Sequence, residues 1–373
     1  MTDLDVYAAS FDGEPGYLDW AAFGPISPVV RGEVQADADL LGTGRRSSID
    51  LVSEHEREAR EAVAALLRTD AEHVTLQPST TYGLMHAFYG LRGGLLISSA
   101  EFPALTVAGT RAASLGRVDL QLFDPEAGFV TPEAVQAALT DETTAVAVSL
   151  VDFRTGYCAD LAAIRDVIGD RLLIVDAIQG FGVVDADYEA ADVVCGHGYK
   201  WLRAGRGTGF ASFSDIARER IEPVLSGFAA VEGGALPLDT VPGPAPSAQA
   251  FGVSAPDHLA AARLASATRE IADVGVEKID AAIAVRATEI IELADAHGIP
   301  VVTPREPERR AGIIALAPEA QHAGSLSASL ANHGVVFTTR AGLVRLAAHA
   351  GTGPDTMQML RDALDAFASS HVA

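Results

Sequence analysis

The sequence predicts an α/β fold in which a large domain with a mostly parallel sheet is followed by a smaller α+β domain. Three observations carry that prediction. Up to about residue 215, short runs rich in Val, Leu and Ile alternate with longer amphipathic stretches. That is the rhythm of strands buried on both faces beneath helices. Residues 232–250 interrupt it with Gly and Pro, and beyond them long helical stretches dominate, with only a few strand-like runs. A chain of 373 residues also outgrows one small core. The expected division is an N-terminal segment plus large domain over 1–250 and a small C-terminal domain over 251–373.

The elements follow in chain order. Residues 53–68 predict a helix, with Ser53 as its cap and Glu56 three positions on. The segments "HVTLQP", "GLLISS", "VDLQLFD", "TAVAVSLVD", "RLLIVDA", "ADVVCGH" and "TGFASF" predict strands, short and dominated by branched or aromatic residues. The stretches "TPEAVQAALT" and "DLAAIRDVIG" between them predict helices. After the Gly/Pro break come one long helical stretch at about 257–297, the strand "GIIALAP" and the helix "SLSASLANHG". The strands "VVFTTR" and "LVRLAAH" and a closing helix at about 354–369 complete the chain.

Composition removes several classes of function. Hydrophobic residues make up 49% and charged residues 21%, which predicts a soluble globular protein rather than a disordered one. A net charge of −23 leaves no basic stripe for a nucleic-acid backbone. The two cysteines, Cys158 and Cys195, support neither a disulfide framework nor a cysteine-rich metal site, which fits a reducing compartment. The N-terminal stretch lacks the apolar segment of a signal peptide, and no run of about 18 apolar residues predicts a membrane span. A cytoplasmic protein with no membrane partner is expected.

The chemistry starts at a lysine. The chain holds two lysines, Lys200 and Lys278, among 27 basic side chains. A guanidinium stays protonated, whereas an amine with a lowered pKa can condense with an aldehyde. Lys200 therefore stands out, although a surface lysine spared by compositional drift is the alternative. Asp176 ends the strand "RLLIVD", the edge of an open α/β sheet where ligands collect. It suits the protonated ring nitrogen of pyridoxal phosphate, or else a helix cap. Gln179 follows three residues on, within reach of that cofactor's phenolic oxygen. Ser79, Thr80 and Thr81 precede a helical run and offer a phosphate cradle, or an ordinary cap. Phe102 in "SAEFPAL" is placed to lie against a cofactor ring, or simply to pack.

Taken in order, "STT", "EFP", "DAIQ" and "GYKWL" resemble the class V aminotransferase family of pyridoxal-phosphate enzymes. That family includes cysteine desulfurases, kynureninases and isopenicillin N epimerase-like proteins. The resemblance runs from "YLDWAAFGPISPVV" to "RAGLVRLAAHAGTGPDTMQML". It implies the fold type I architecture, with a seven-stranded, mostly parallel sheet and a small C-terminal domain. By this resemblance Lys200 binds the cofactor covalently, Asp176 pairs with its ring nitrogen and Gln179 touches its phenolic oxygen. Phe102 stacks where desulfurases place a histidine, and Thr80, Thr81 and His197 hold the phosphate. Ser254 reaches the phosphate of a partner subunit, which implies a homodimer with interfacial sites. Arg345, with Arg340 as runner-up, clamps the carboxylate of an amino-acid substrate. Trp20, Phe23, Arg154 and Phe228 are candidates for the pocket wall.

The implied reaction passes through an external aldimine and a Cα carbanion, with the freed Lys200 as base. The fates beyond it are transamination, preferred on family breadth, and elimination of a β-group such as sulfur. Epimerisation is a further fate, and a cofactor-binding protein without turnover is a different class. Persulfide transfer is disfavoured, since the segment "QHAGSLSASLANHGVVFTTRAGLVR" carries no cysteine.

Overall fold

A computed structural model describes residues 2–125, 128–234, 239–340 and 342–370. Its central sheet holds β1 (Val74–Gln77), β2 (Gly94–Ser98), β3 (Asp119–Phe123), β4 (Thr143–Ser149), β5 (Leu172–Asp176), β6 (Val193–His197) and β7 (Gly209–Phe213). Their order is β1-β7-β6-β5-β4-β2-β3. Pairings from β6 through to β3 are parallel, and β7 runs antiparallel to both its neighbours.

Around this sheet the N-terminal helices are α1 (Asp3–Ala9), α2 (Pro28–Gly42), α3 (Arg46–Ser53) and α4 (His55–Leu67). Helices α5 (Thr80–Gly90), α6 (Pro103–Ser114), α7 (Pro132–Ala138), α8 (Leu161–Ile168) and α9 (Asp215–Arg220) alternate with the strands. Successive strand residues point to opposite faces, so a strand covered on both sides must be apolar at nearly every position. Accordingly Leu96, Val146, Val148, Leu173 and Val175 join one core with Val63 of α4 and Ile164 of α8. Their neighbours Leu95, Ile97, Ala145, Ala147 and Ile174 join the other, with Phe88 of α5 and Leu105 of α6.

Two local expectations are corrected. Ser53 does not cap a helix: it ends α3, its hydroxyl donating to the Asp50 carbonyl at 2.7 Å, and α4 begins two residues later without a side-chain cap. The helical stretch at 257–297 is two helices, α10 (His258–Val274) and α11 (Val276–Ala296). Gly275 divides them at φ 94°, a conformation open to a residue without Cβ. Asp257 caps α10 by accepting from the N–H groups of Leu259 and Ala260.

A second, antiparallel sheet holds β8 (Ile313–Leu316), β9 (Thr338–Arg340) and β10 (Leu343–Ala347) in the order β8-β10-β9. With α11, α12 (Ala323–Asn332) and α13 (Pro354–Ser369) it encloses Leu293, Ile314, Leu330, Leu346 and Leu360. The N-terminal segment ties the two sheets together. Tyr17 and Asp19 bridge to Val336 and Ala347 beside the small sheet. A few residues later, the Gly24 and Ser27 N–H groups donate to the carbonyls of Tyr199 and Arg203, at 2.9 and 3.1 Å. Helix α10, which follows the Gly/Pro break, packs back onto α2 and α4. Among the described residues no helix is long and apolar enough to cross a membrane.

Candidate active site

The C-terminal ends of the parallel strands open onto one edge of the sheet, the place where this architecture gathers ligand-binding groups. Asp176 ends β5, His197 ends β6 and Ser149 ends β4. The chain leaves β1 into α5 at Ser79–Thr81 and leaves β2 toward Glu101 and Phe102. Because β7 is antiparallel, Gly207–Gly209 enter the sheet from this same edge.

Lys200 sits in the turn after β6 and is only 7% exposed. The turn is fixed from three sides. The Ala204 N–H donates to the Gly198 carbonyl and the Arg203 N–H to the Lys200 carbonyl, at 2.9 and 3.0 Å. Arg203 adopts φ 61°, left-handed for a residue with a side chain. Its guanidinium holds that conformation by donating to the hydroxyl and carbonyl of Ser10, each at 2.8 Å, and by lying 3.8 Å over the Phe11 ring. Gly24 closes the third side, where a Cβ would lie 1.8 Å from the Lys200 carbonyl oxygen. The root of the lysine is thus held by residues from the first 24 of the chain.

The side chain projects toward Phe102, whose ring centre lies 6.0 Å from Nζ, and toward Tyr199 at 5.5 Å. Burial lowers the Lys200 pKa to about 7; Asp176 opposes the shift while Arg345, Arg340 and Arg206 add to it. Asp176 is 2% exposed, and its Oδ1 accepts from the Ile178 N–H at 3.0 Å. Burial raises it to about 6, against the pull of that N–H and of Lys200. The two groups therefore move toward neutrality, as a proton-handling pair requires.

The start of α5 is a cradle for an anion. Ser79 occupies the N-cap without bonding the helix, and the first turn contains no acid. The Thr80 hydroxyl is fully buried and, among the described residues, has no hydrogen-bond partner. An orphaned buried hydroxyl at the positive end of a helix points to an anionic ligand. Thr81 lies exposed beside it. His197 is 5% exposed, and its Nε2 accepts from the Gly207 N–H at 3.1 Å, which assigns the ring proton to Nδ1 as a donor. Burial, with Arg206, Lys200 and Arg263, lowers its pKa to about 3, so the ring stays neutral.

On the small-sheet side, Arg345 is 3% exposed. It donates to the Phe153 carbonyl at 2.9 Å and approaches Asp19 Oδ1 at 3.4 Å, while its Nε has no partner among the described residues. Arg340 is exposed and lies 5.3 Å over the Phe153 ring, which packs edge-on against Phe102. The charge of both guanidiniums adds to the lowering of the Lys200 pKa.

The remaining candidates are more dispersed. Gln179 is largely committed within the protein: its Nε2 donates to the Ala21 carbonyl at 3.1 Å and its Oε1 accepts from the Trp201 indole at 2.9 Å. One amide hydrogen is left for another acceptor. Ser254 is exposed and lines a cleft of about 430 Å³ with Pro78 and Gly207 of its own chain. Trp20 belongs to the core, against Phe11, Tyr17 and His349, and with Phe11 and Tyr17 it also borders a cleft on the N-terminal segment. Arg154 is paired with Asp152 at 2.7 Å, and Phe23 and Phe228 are exposed.

Two acids escaped the sequence reading. Asp19 orients Arg345 and accepts from the Thr338 hydroxyl at 2.7 Å. Glu101, the residue before Phe102, is 9% exposed and accepts from the N–H and hydroxyl of Ser149, at 2.9 and 2.5 Å. Burial raises it to about 7 against those bonds, with Asp152 and Asp176 adding to the rise. The quoted motif contained Glu101, but nothing in the sequence reports that its carboxyl is buried.

The family model described as aminotransferase class-V matches residues 17–348. A cysteine desulfurase, IscS, of Ectopseudomonas mendocina is 31% identical over 195 residues, which are 48% of this chain and 48% of that protein. The chain thus matches about half the length of that relative. The cystine C–S lyase C-DES in complex with its product cysteine persulfide superposes at a TM-score of 0.85 and 19% identity, covering 95% of this chain and 98% of that one. A C-DES mutant with glycine covalently linked to its pyridoxal-phosphate cofactor superposes at 0.86 and 18% identity, covering 96% and 98%.

Proposed function

The chain belongs to the class V aminotransferase family, and from that premise we propose a pyridoxal-phosphate enzyme that breaks the Cα–H bond of an amino acid. The observation that carries this reading is the buried Lys200–Asp176 pair, on the same sheet edge as a helix N-terminus whose Thr80 hydroxyl has no partner among the described residues. The residues present fit the cofactor. Ser79, Thr80, Thr81 and the Nδ1–H of His197 suit its phosphate, the Phe102 ring its face and Asp176 its ring nitrogen. The spare Gln179 amide hydrogen suits its phenolic oxygen. When bound, the cofactor supplies an aldehyde carbon and an electron sink for the bond broken at Cα.

The chain's own groups do the rest. Against the pull of Asp176, burial pushes the Lys200 amine toward its neutral form. Its Nζ serves first as nucleophile and then as the base that removes the Cα proton and returns it elsewhere. Asp176, whose Oδ1 accepts from the Ile178 N–H, would pair with the ring nitrogen of the bound cofactor and keep a proton there. Arg345, oriented by Asp19, fixes the substrate carboxylate, with Arg340 at the open side.

Transamination is the outcome that family breadth favours. Elimination of a sulfur group gains support from the relatives, named as a cysteine desulfurase and a cystine C–S lyase. It also agrees with the cysteines of this chain. Cys195 is wholly buried in β6, burial pushes the Cys158 thiol up to about 12, and residues 317–343 contain no cysteine. No thiol is therefore placed to accept sulfur, and it would leave from the substrate directly. The Cα–H and Cβ–S bonds break, the sulfur departs with its electron pair and takes a proton, and water converts the aminoacrylate to pyruvate and ammonium. A homodimer in which Ser254 faces the partner's site, and a cytoplasmic location, complete the proposal.

The test is spectroscopic and then analytical. Purified protein should carry a visible cofactor band that Lys200→Ala removes; a protein that stays colourless when given pyridoxal phosphate sinks the proposal. Cystine and cysteine conjugates should yield pyruvate and ammonium. Accumulation of pyridoxamine phosphate without pyruvate would establish transamination instead.

A further inference from the structure

Outside the Lys200 site, helices α2 and α4 bring together a group that the chemistry above does not use. Glu33 and Asp37 lie four residues apart on α2, hence on one face. His55 is the first residue of α4. Its Nε2 lies 3.3 Å from Glu33 Oε1 and 3.1 Å from Asp37 Oδ2, and the three donor atoms fall within 4.8 Å of one another. We propose that Glu33, Asp37 and His55 form a binding site for a divalent transition-metal ion, zinc foremost.

Three observations carry the assignment. The first is spacing: bonds of about 2.0–2.1 Å in a tetrahedral zinc site set ligand atoms about 3.3 Å apart, and the two separations from Nε2 match. The second is Asp37 itself. Its side chain is 7% exposed, and its Oδ2 makes no hydrogen bond among the described residues, although it points at the imidazole. A carboxylate oxygen buried without a donor is costly unless a cation completes it. The third is the far side of the ring. Nδ1 of His55 lies 3.0 Å from Glu58 Oε2, and Arg269 braces the same oxygen at 3.0 Å. A carboxylate on the outer nitrogen keeps the ring proton there and turns the Nε2 lone pair toward Glu33 and Asp37, as it does for metal-bound histidines.

A lone pair facing two carboxylate oxygens is repulsive. A proton on Nε2 points at one oxygen at a time, whereas a divalent ion satisfies all three donors. Glu33, 32% exposed, forms the rim by which an ion enters and leaves a position open to water. One imidazole with two carboxylates suits zinc and manganese better than softer ions. The ion would staple α2 to α4 where both pack against α10.

The test uses untagged, cofactor-loaded protein stripped with a chelator and titrated with zinc by calorimetry. One ion per chain is expected, and cobalt in its place should show the visible bands of a tetrahedral site. His55→Gln and Asp37→Asn should each weaken zinc at least tenfold while leaving the Lys200 cofactor band unchanged. Glu33→Gln, on the rim, serves if either variant fails to fold. Absence of saturable zinc or cobalt binding overturns the proposal, and so does affinity that these substitutions do not change.

Discussion

Glu101 offers a quantitative test of how the site handles protons. Its carboxyl titrates near 7 in the folded chain against an ordinary 4.5, chiefly through burial. When the folded state holds a proton that the unfolded state has lost, stability falls by about 1.4 kcal/mol per pH unit across that interval. This contribution is fully present below pH 4.5 and is lost as pH rises through about 7. Integrated over the interval it amounts to about 3 kcal/mol. Glu101→Gln reproduces the protonated form, its oxygen accepting from the Ser149 N–H and its amide donating to the Ser149 hydroxyl, and it cannot ionise. Measured as urea midpoints of the cofactor-free protein, the variant should match the wild type near pH 4.5. It should gain on it progressively, reaching about 3 kcal/mol by pH 8. Other buried groups titrate in this range too, which is why the difference between the two proteins is the quantity to plot. A difference that stays flat from pH 4.5 to 8 would refute the claim that this carboxyl is held protonated by its surroundings.

Three further outcomes are expected. Thr80→Val should weaken pyridoxal phosphate by about 2 kcal/mol, roughly thirtyfold, yet leave the cofactor-free protein as stable or more so, because it removes an orphaned hydroxyl; spectral titration and thermal melts read the two signs separately. Gly24→Ala sets a Cβ against the backbone of the lysine turn, so the thermal midpoint should drop by the equivalent of about 3 kcal/mol or more and the cofactor band should weaken. Arg345→Lys keeps the charge but loses the fork that spans the Phe153 carbonyl and Asp19, so KM should rise about tenfold or more with a smaller change in kcat.

The strands were legible because burial on both faces writes them as unbroken apolar runs. Nine of the ten fall within the segments that predict them, and β4 begins one residue earlier, at Thr143. Lys200 and Asp176 were legible for a related reason: each follows or ends such a run, so its address on the sheet edge is carried by local sequence. Residues that depend on a distant partner were not. Gln179 is mostly spoken for by Trp201 and Ala21, and Trp20 is absorbed by an aromatic cluster with His349. Glu101 gains its character only where β2 and β4 lie side by side. Ser53 was misplaced because a serine near a helix boundary can end one helix as readily as begin the next.

The strap from Tyr17 to Ser27 also has a bearing on how the chain folds. Its other end is anchored on the small sheet, where Asp19 meets Arg345, 326 residues away in sequence. Contacts of such separation are the slowest to form, since a long loop must close before they return any energy. The large sheet can assemble from neighbouring βα units as they emerge, but the lysine turn would lack its third wall until the final strands arrive. Cofactor capture is then expected to be a late event in the life of each molecule, and a chain cut short before β10 would fold most of its mass without acquiring a working lysine.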